Sequence, residues 1–405
     1  MKKIDIDIIN DGEEIKNIDK YKELGILDYC NIYNKKATVG FVGVVIKKDR
    51  AVLSLPKKYE LDKNVSNEKK IDILRKILNI FTSLDVKTEG NIDVGENEQF
   101  PIKSYLGIYG YYKRFGLYKS IEKYKESGFY GNFDWHRTIN LKEKILQKNG
   151  IIFDSFIITK NRDVDVFLGE CMDFVLSDAS NYSDILNVVR KYGSLYSNKI
   201  FNNLDLVIKI LNSLKNRYFK DIEKKLIQNI INYFKWKSSS KDNFKLLTLN
   251  FELYWEKMVD IYLNKKFVSY ENDTLKWGNN TKYKFKKKDY KVEKPIKRDK
   301  PWKIELDHFC VTEDTVYIFD SKYYNYVSDL NYKQLFYSYH IKSLEEFKNK
   351  KKINALLIPK SNNKNIIDLN EIDNIHIDRT NLDEIKIMEH YLDLEDVIDT
   401  CVKGG

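Results

Sequence analysis

Ile304-Glu305-Leu306-Asp307-His308-Phe309 and Ile318-Phe319-Asp320-Ser321-Lys322-Tyr323-Tyr324 are the two strings on which this sequence turns. Both are apolar stretches, and the polar segment Thr312-Glu313-Asp314 lies between them, the pattern of two strands joined by a short turn. Side chains two apart on a strand share a face, so Asp320 and Lys322 point the same way, and a hairpin partner brings Asp307 alongside. Two carboxylates and a lysine at a sheet edge suit metal-dependent phosphodiester hydrolysis. Hard oxygen ligands hold Mg²⁺ or Mn²⁺, and an ammonium steadies the attacking water or the phosphorane charge. Val316, Ile318 and Phe319 predict a buried strand, and an Asp and a Lys emerging from it need partners or a ligand to offset desolvation.

Upstream, a helix is predicted over about 245–264. Phe251, Trp255, Met258, Val259 and Tyr262 share one of its faces, and Glu252, Glu256 and Asp260 form an adjacent acidic stripe. Like charges at this spacing repel by roughly a few tenths of a kcal/mol unless a cation intervenes. Lys257 and solvent meet that need as simply as a metal does. A single Asp-x-Lys string is also a weak signal. The weight lies in the ordered set of acidic helix, strand ending in Asp, strand ending in Asp-x-Lys, helix over about 331–348 and strand Ile353–Ile358, followed by a short tail.

At 405 residues the chain is expected to form two or three domains of mixed α/β class. Residues 1–160 read as a β-containing interaction region, 161–240 as a helical middle and 241–405 as a nuclease-type α/β domain, with the serine-rich string 236–242 as linker. Within the first part a hairpin is expected over 38–55, a helix over 68–83, a loop over 85–100, a Tyr-rich helix over 102–127 and a strand over 151–159. The stretch 164–235 reads as helical, with one stripe of Leu204, Val207, Ile210, Leu211 and Leu214.

Seventy Lys and Arg against sixty Asp and Glu give a net charge of +10, which suits a polyanionic partner without requiring one. Lys286, Lys287, Lys288, Lys297 and Arg298 belong to a lysine-dense run over 282–303 just before the first motif strand. Such a run could track a DNA backbone; it is also what a solvated loop looks like. Cys30, Cys171, Cys310 and Cys401 lie far apart, which argues against a zinc site or a disulfide framework. No apolar signal core or long apolar run is present, so a soluble cytoplasmic protein without a membrane partner is expected. No Gly-x-x-x-x-Gly-Lys-[Ser/Thr] string occurs.

The ordered motif set resembles the PD-(D/E)xK nuclease superfamily, and more narrowly the LlaJI-type restriction endonucleases related to the McrC nuclease subunit. Matching stretches include Leu53-Ser54-Leu55-Pro56-Lys57-Lys58-Tyr59, residues 131–139, Phe251 to Val259, the two motif strands, Gln334 to Tyr339 and Asn354 to Lys360. The resemblance implies that Asp307 and Asp320 are metal ligands, that Lys322 is the catalytic lysine and that Glu256 completes the site, with Glu252 the second choice and Gln334 an auxiliary contact. It also implies a separate McrB-like AAA+ motor that hydrolyses GTP and drives cleavage of double-stranded DNA, docked on the N-terminal β-containing region. The missing phosphate loop fits that division of labour. Ser321 stands where a small apolar residue is commoner, and His308 is expected to face away from Asp307 in a structural role. Two other readings stand beside this one: a stand-alone site-specific endonuclease, and a non-catalytic nucleic-acid-binding or scaffold protein.

Overall fold

The computed structural model describes residues 5–34, 36–47, 50–61, 65–84, 86, 99–186, 199–240, 243–291, 303–325, 327, 332–361, 374–378 and 385–402. They form two compact units: Met1–Phe100 with Ser240–Gly405, and Pro101–Ser239. The expected boundary at 160 falls inside a strand, Phe156–Asp165, and the expected linker opens as the last turn of a helix, Asp221–Ser239, whose Trp236 is buried.

Two large sheets build the first unit, beside the two-stranded pairs Cys30–Tyr33 with Lys36–Val39 and Phe267–Glu271 with Thr274–Trp277. One is four-stranded, in the order Asp5–Asn10, Arg50–Leu55, Val42–Lys47, Asn243–Thr248. The first pair is parallel and the other two antiparallel. Apolar side chains on both faces, such as Val44, Val45, Val52 and Leu53, bury its two central strands. Segment 15–41 covers one face through Ile26, Tyr29, Val39 and Phe41, while helix Asn67–Ser83 buries Leu74, Ile77, Ile80 and Phe81. Asn243–Thr248, expected as the start of a helix, is the fourth strand of this sheet, and the helix proper runs Phe251–Lys266.

The other sheet has six strands in the order Lys286–Lys291, Lys303–Val311, Thr315–Ser321, Lys351–Lys360, Ile385–Asp393, Asn374–Asp378. Its centre is parallel, with Thr315–Ser321, Lys351–Lys360 and Ile385–Asp393 in sequence, and such strands are apolar on both faces. Helix Tyr332–Ser343 supplies Tyr337 and Ile341 to one face, against Leu306, Phe309, Val316 and Ile318. On the other face Tyr317 and Phe319 pack on Phe267 and Phe285. Helix Phe251–Lys266 also lies there, and its Trp255 indole N–H donates to the Leu357 carbonyl at 3.2 Å. The short tail expected after 358 is instead two strands and helix Leu394–Val402, bound to the acidic helix by the Tyr262 hydroxyl on Asp396 at 2.8 Å.

The second unit carries helices Ile102–Phe115, Phe167–Ala179, Leu204–Leu214 and Asp221–Ser239, a sheet ordered Lys119–Gly128, Phe156–Asp165, Asn132–Phe133, and the hairpin Lys144–Gln147 with Gly150–Phe153. The helix expected over 102–127 stops at Phe115. Gly116, at φ +76°, takes a left-handed turn that side chains resist, and Lys119–Gly128 leaves as a strand paired antiparallel with Phe156–Asp165. Residues 131–139 contribute the short strand and the start of a helix capped by Asp134, whose side chain accepts the Arg137 N–H at 3.1 Å. Trp135 is more than half exposed. Loop 85–100 lies almost wholly outside the described residues.

Gly43 marks a close approach of two backbones. It has φ +136°, and a Cβ there would lie 2.3 Å from the Leu246 carbonyl oxygen and 2.5 Å from the Leu247 Cα. Gly43→Ala is expected to cost about 3 kcal/mol or more in chemical unfolding. Gly110→Ala, in an open helix position with nothing within 4 Å, should be neutral or stabilising by up to about 1 kcal/mol.

Candidate active site

The site is made by the register of one hairpin. Its antiparallel pairs are Val311↔Val316, Cys310↔Tyr317, Phe309↔Ile318 and His308↔Phe319, so the next opposed pair is Asp307 and Asp320. Opposed residues of an antiparallel pair share a face. The carboxyls lie within hydrogen-bond reach of each other. Asp320 is buried, and its Oδ2 is ion-paired with the Lys322 ammonium, two residues on and on the same face.

A bulge tunes the first motif strand. Its edge neighbour pairs Lys288 with Leu306 and Lys286 with Phe309, so Asp307 and His308 together face Lys287 alone. Leu306 and Phe309 thereby reach the same core cluster although three positions separate them. His308 goes to the opposite face, where its Nε2 meets the Ser321 hydroxyl at 2.6 Å and its Nδ1 lies 3.5 Å from Asp260. That contact accounts for Ser321: its hydroxyl satisfies a buried imidazole on the face away from Asp320.

Burial pushes the Asp307 carboxyl up to about 8, aided by the charge and hydrogen bond of Asp320 and then by Glu256, against the smaller opposing pull of Lys322. Glu256 is therefore the helix carboxylate that Asp307 feels, and its Oε1 lies 3.4 Å from the Lys287 ammonium. Glu252, one turn earlier, faces elsewhere and feels Asp11 and Tyr323. Gln334 is buried beside the strand Lys351–Lys360, where its amide donates to Asn354, while Asn354 donates to the Gln334 carbonyl at 3.2 Å and to Ser338. Its neighbour Lys333 is the helix cation that feels the aspartates, and Tyr337 lies beside it. The Lys333 ammonium, 5.4 Å from the Tyr337 ring centroid, feels both Asp320 and Asp307. The only sequence signal for that pair was their i, i+4 spacing. Lys286 and Lys288 lie on the lysine strand beside Lys287, whereas Lys297 and Arg298 lie outside the described residues.

Among the described residues no three acidic, His or Cys side chains form a ready-made metal cage. What exists is a two-carboxylate nucleus with Glu256 at electrostatic range. The donor set nevertheless fits a hard divalent cation. The buried Oδ1 of Asp320 has no hydrogen-bond partner among the described residues, and burial together with the Asp320 charge raises the Asp307 carboxyl, a penalty that a bound cation would offset.

The raised carboxyl has a consequence for stability. Between about pH 4 and pH 8 the unfolded chain gives up its Asp307 proton while the folded chain keeps it, so this group's contribution falls as pH rises and levels off above about 8. Asp307→Asn removes that cost. In EDTA its gain in thermal unfolding midpoint is expected to be larger at pH 8 than at pH 5, by about 2 °C or more.

The family model described as LlaJI restriction endonuclease matches residues 41–395. No curated protein matches. Two solved structures from Thermococcus gammatolerans show similarity. One is a refined half-complex from a tetradecameric assembly of McrB AAA+ hexamers with bound McrC. It covers 98% of this chain and 98% of its own, at 12% identity and a TM-score of 0.44. The other, a cryo-EM structure of the McrBC complex, covers 63% of this chain and 87% of its own, at 13% identity and a TM-score of 0.27. The match over residues 41–395 takes in both motif strands and the acidic helix, and the chain belongs to the LlaJI restriction endonuclease family.

Proposed function

We propose that this chain is the Mg²⁺-dependent DNA endonuclease subunit of a restriction system and acts with a separate McrB-like, GTP-hydrolysing motor. The observation that carries the reading is the pair of half-buried Asp307 and buried Asp320, opposed across one hairpin with Lys322 on the same face. A scaffold protein has no use for two like charges forced together, and family membership supports a nuclease. Asp307, Asp320 and Glu256 would hold the metal, which when bound supplies a Lewis acid and lowers the pKa of a coordinated water. Lys322, mostly buried and anchored on Asp320, would orient the attacking water or meet charge on the phosphate. Lys286 and Lys288, on the edge strand beside the site, would take the DNA backbone.

Two features support a motor partner. The sequence has no Gly-x-x-x-x-Gly-Lys-[Ser/Thr] string of its own. The second unit also exposes Tyr130, Trp135, Leu141, Leu146 and Ile151, more apolar surface than solvent favours.

Asp320→Ala and Lys322→Ala are each expected to lower plasmid cleavage by at least about 100-fold with the circular dichroism spectrum unchanged; full cutting by either variant would refute the proposal. Prompt cutting at a defined sequence by the purified chain with Mg²⁺ alone would favour a stand-alone endonuclease. For the double variant Lys286→Ala, Lys288→Ala, the slope of log binding constant against log salt should become shallower by about one to two units.

A further inference from the structure

Lys322 lies just past the end of its strand, Thr315–Ser321, where the ladder no longer fixes the backbone on both sides. Its N–H still donates to the Leu357 carbonyl at 3.0 Å. Beyond it, the buried Tyr323 leaves the nuclease sheet and reaches the N-terminal one. Its hydroxyl accepts the Lys57 main-chain N–H at 2.7 Å and donates to the Asp11 carboxylate. The Lys57 ammonium lies 4.7 Å from the ring centroid and 3.4 Å from the Tyr323 carbonyl oxygen, and the Phe251 ring packs at 5.2 Å.

The seat itself is tied together by hydrogen bonds. Asp11 and Lys57 occupy turns that follow the parallel strands Asp5–Asn10 and Arg50–Leu55. Asn10 ties the turns together, its amide donating to the Pro56 carbonyl at 3.2 Å and the Tyr59 carbonyl at 2.7 Å, and the Asp11 N–H returns to the Leu55 carbonyl at 2.9 Å. Gly12 and Lys58 both take positive φ, +84° and +66°, to make these bends. A buried phenol with a donor, an acceptor and a cation on its face is costly to assemble, and packing alone would have been met by phenylalanine.

We infer that Tyr323, seated on Asp11 and Lys57, is a positioning residue for Lys322, and that the N-terminal sheet is thereby part of the catalytic scaffold. The inference rests on Lys322 being the catalytic lysine. Leu357 fixes the backbone before the side chain and the phenol seat fixes it after, so the ammonium projects from a segment held at both ends.

The test is single-turnover cleavage by the full chain, with its motor and GTP where cutting requires them, at saturating Mg²⁺ and below the unfolding temperature of every variant. Tyr323→Phe is expected to slow cleavage about tenfold, with DNA affinity and the half-saturating Mg²⁺ concentration unchanged. Tyr262→Phe removes a comparable tyrosine–aspartate bond, to Asp396 at 2.8 Å, from the same unit and should cut at the wild-type rate. Should Tyr323→Phe not fold, Lys57→Met, which keeps the N–H but loses the ammonium, carries the test with a smaller expected loss. Wild-type cleavage by Tyr323→Phe, or an equal fall in both phenylalanine variants, overturns the inference. Full cleavage by Lys322→Ala instead removes the proposed function beneath it, whereas an inactive Lys322→Ala beside a fully active Tyr323→Phe removes the inference alone.

Discussion

Two carboxylates opposed on one hairpin repel each other, and the structure around Asp307 and Asp320 keeps them opposed. Their alignment is set by the pairs below them, Val311↔Val316 to His308↔Phe319, and a slip of one residue would send one of them to the other face. The slip is blocked by core residues of both strands, Phe309, Val316 and Ile318 on one face and Phe319 on the other. The like-charge contact is thus held in place by apolar burial elsewhere in the hairpin. A proton kept on Asp307 removes part of the repulsion.

The bulge opposite Lys287 lets one strand serve two purposes. Strict alternation would have put His308 on the face of Leu306, inside the apolar cluster with Tyr337 and Ile341. The extra residue turns His308 toward Ser321 and Asp260 and leaves Asp307 on the face of Phe309. A second economy concerns the inserted unit. The chain leaves the first unit after Phe100 and returns at Ser240, and these ends are stitched together, with the Phe100 N–H on the Lys245 carbonyl at 2.7 Å and the Phe100 and Phe244 rings 4.6 Å apart. An insertion between neighbouring ends asks little of the host fold.

What the sequence disclosed follows from where local signal and tertiary environment agreed. The motif strands read correctly because apolar residues flank their charges, and helix Asn67–Ser83 read correctly because its apolar side chains repeat at helical spacing. Segment 119–128 misled: its lysines and glutamates favour a helix, but pairing with Phe156–Asp165 decides its state. Asn243–Thr248 misled because a strand ran straight into a helix with only two residues between them. For the site, spacing along the chain could nominate Asp307, Asp320 and Lys322, and only the family resemblance singled out Glu256 from its acidic stripe. Spacing could not show the bulge, the turn of Gln334 away to Asn354, or the approach of Lys333, because each depends on how separate elements pack.

The cations around the hairpin differ in how firmly they are held, and that difference bears on what the site can accept. Lys322 is largely buried against Asp320, between a backbone hydrogen bond and the Tyr323 seat. Lys287 is half exposed on a bulged edge strand, and its pairing with Glu256 is of the exposed kind that contributes about 0–1 kcal/mol. Lys333, on the helix opposite, is exposed as well. Lys322 is thus held by burial and an adjacent backbone hydrogen bond, Lys287 by an exposed pairing, and Lys333 feels Asp320 and Asp307 from beside Tyr337. A polyanion arriving at this edge of the sheet would draw Lys287 outward at small cost while leaving Lys322 where it is. Under the proposed function geometry is needed at Lys322 and only charge at Lys287, and burial and the neighbouring Tyr323 contacts fall on Lys322.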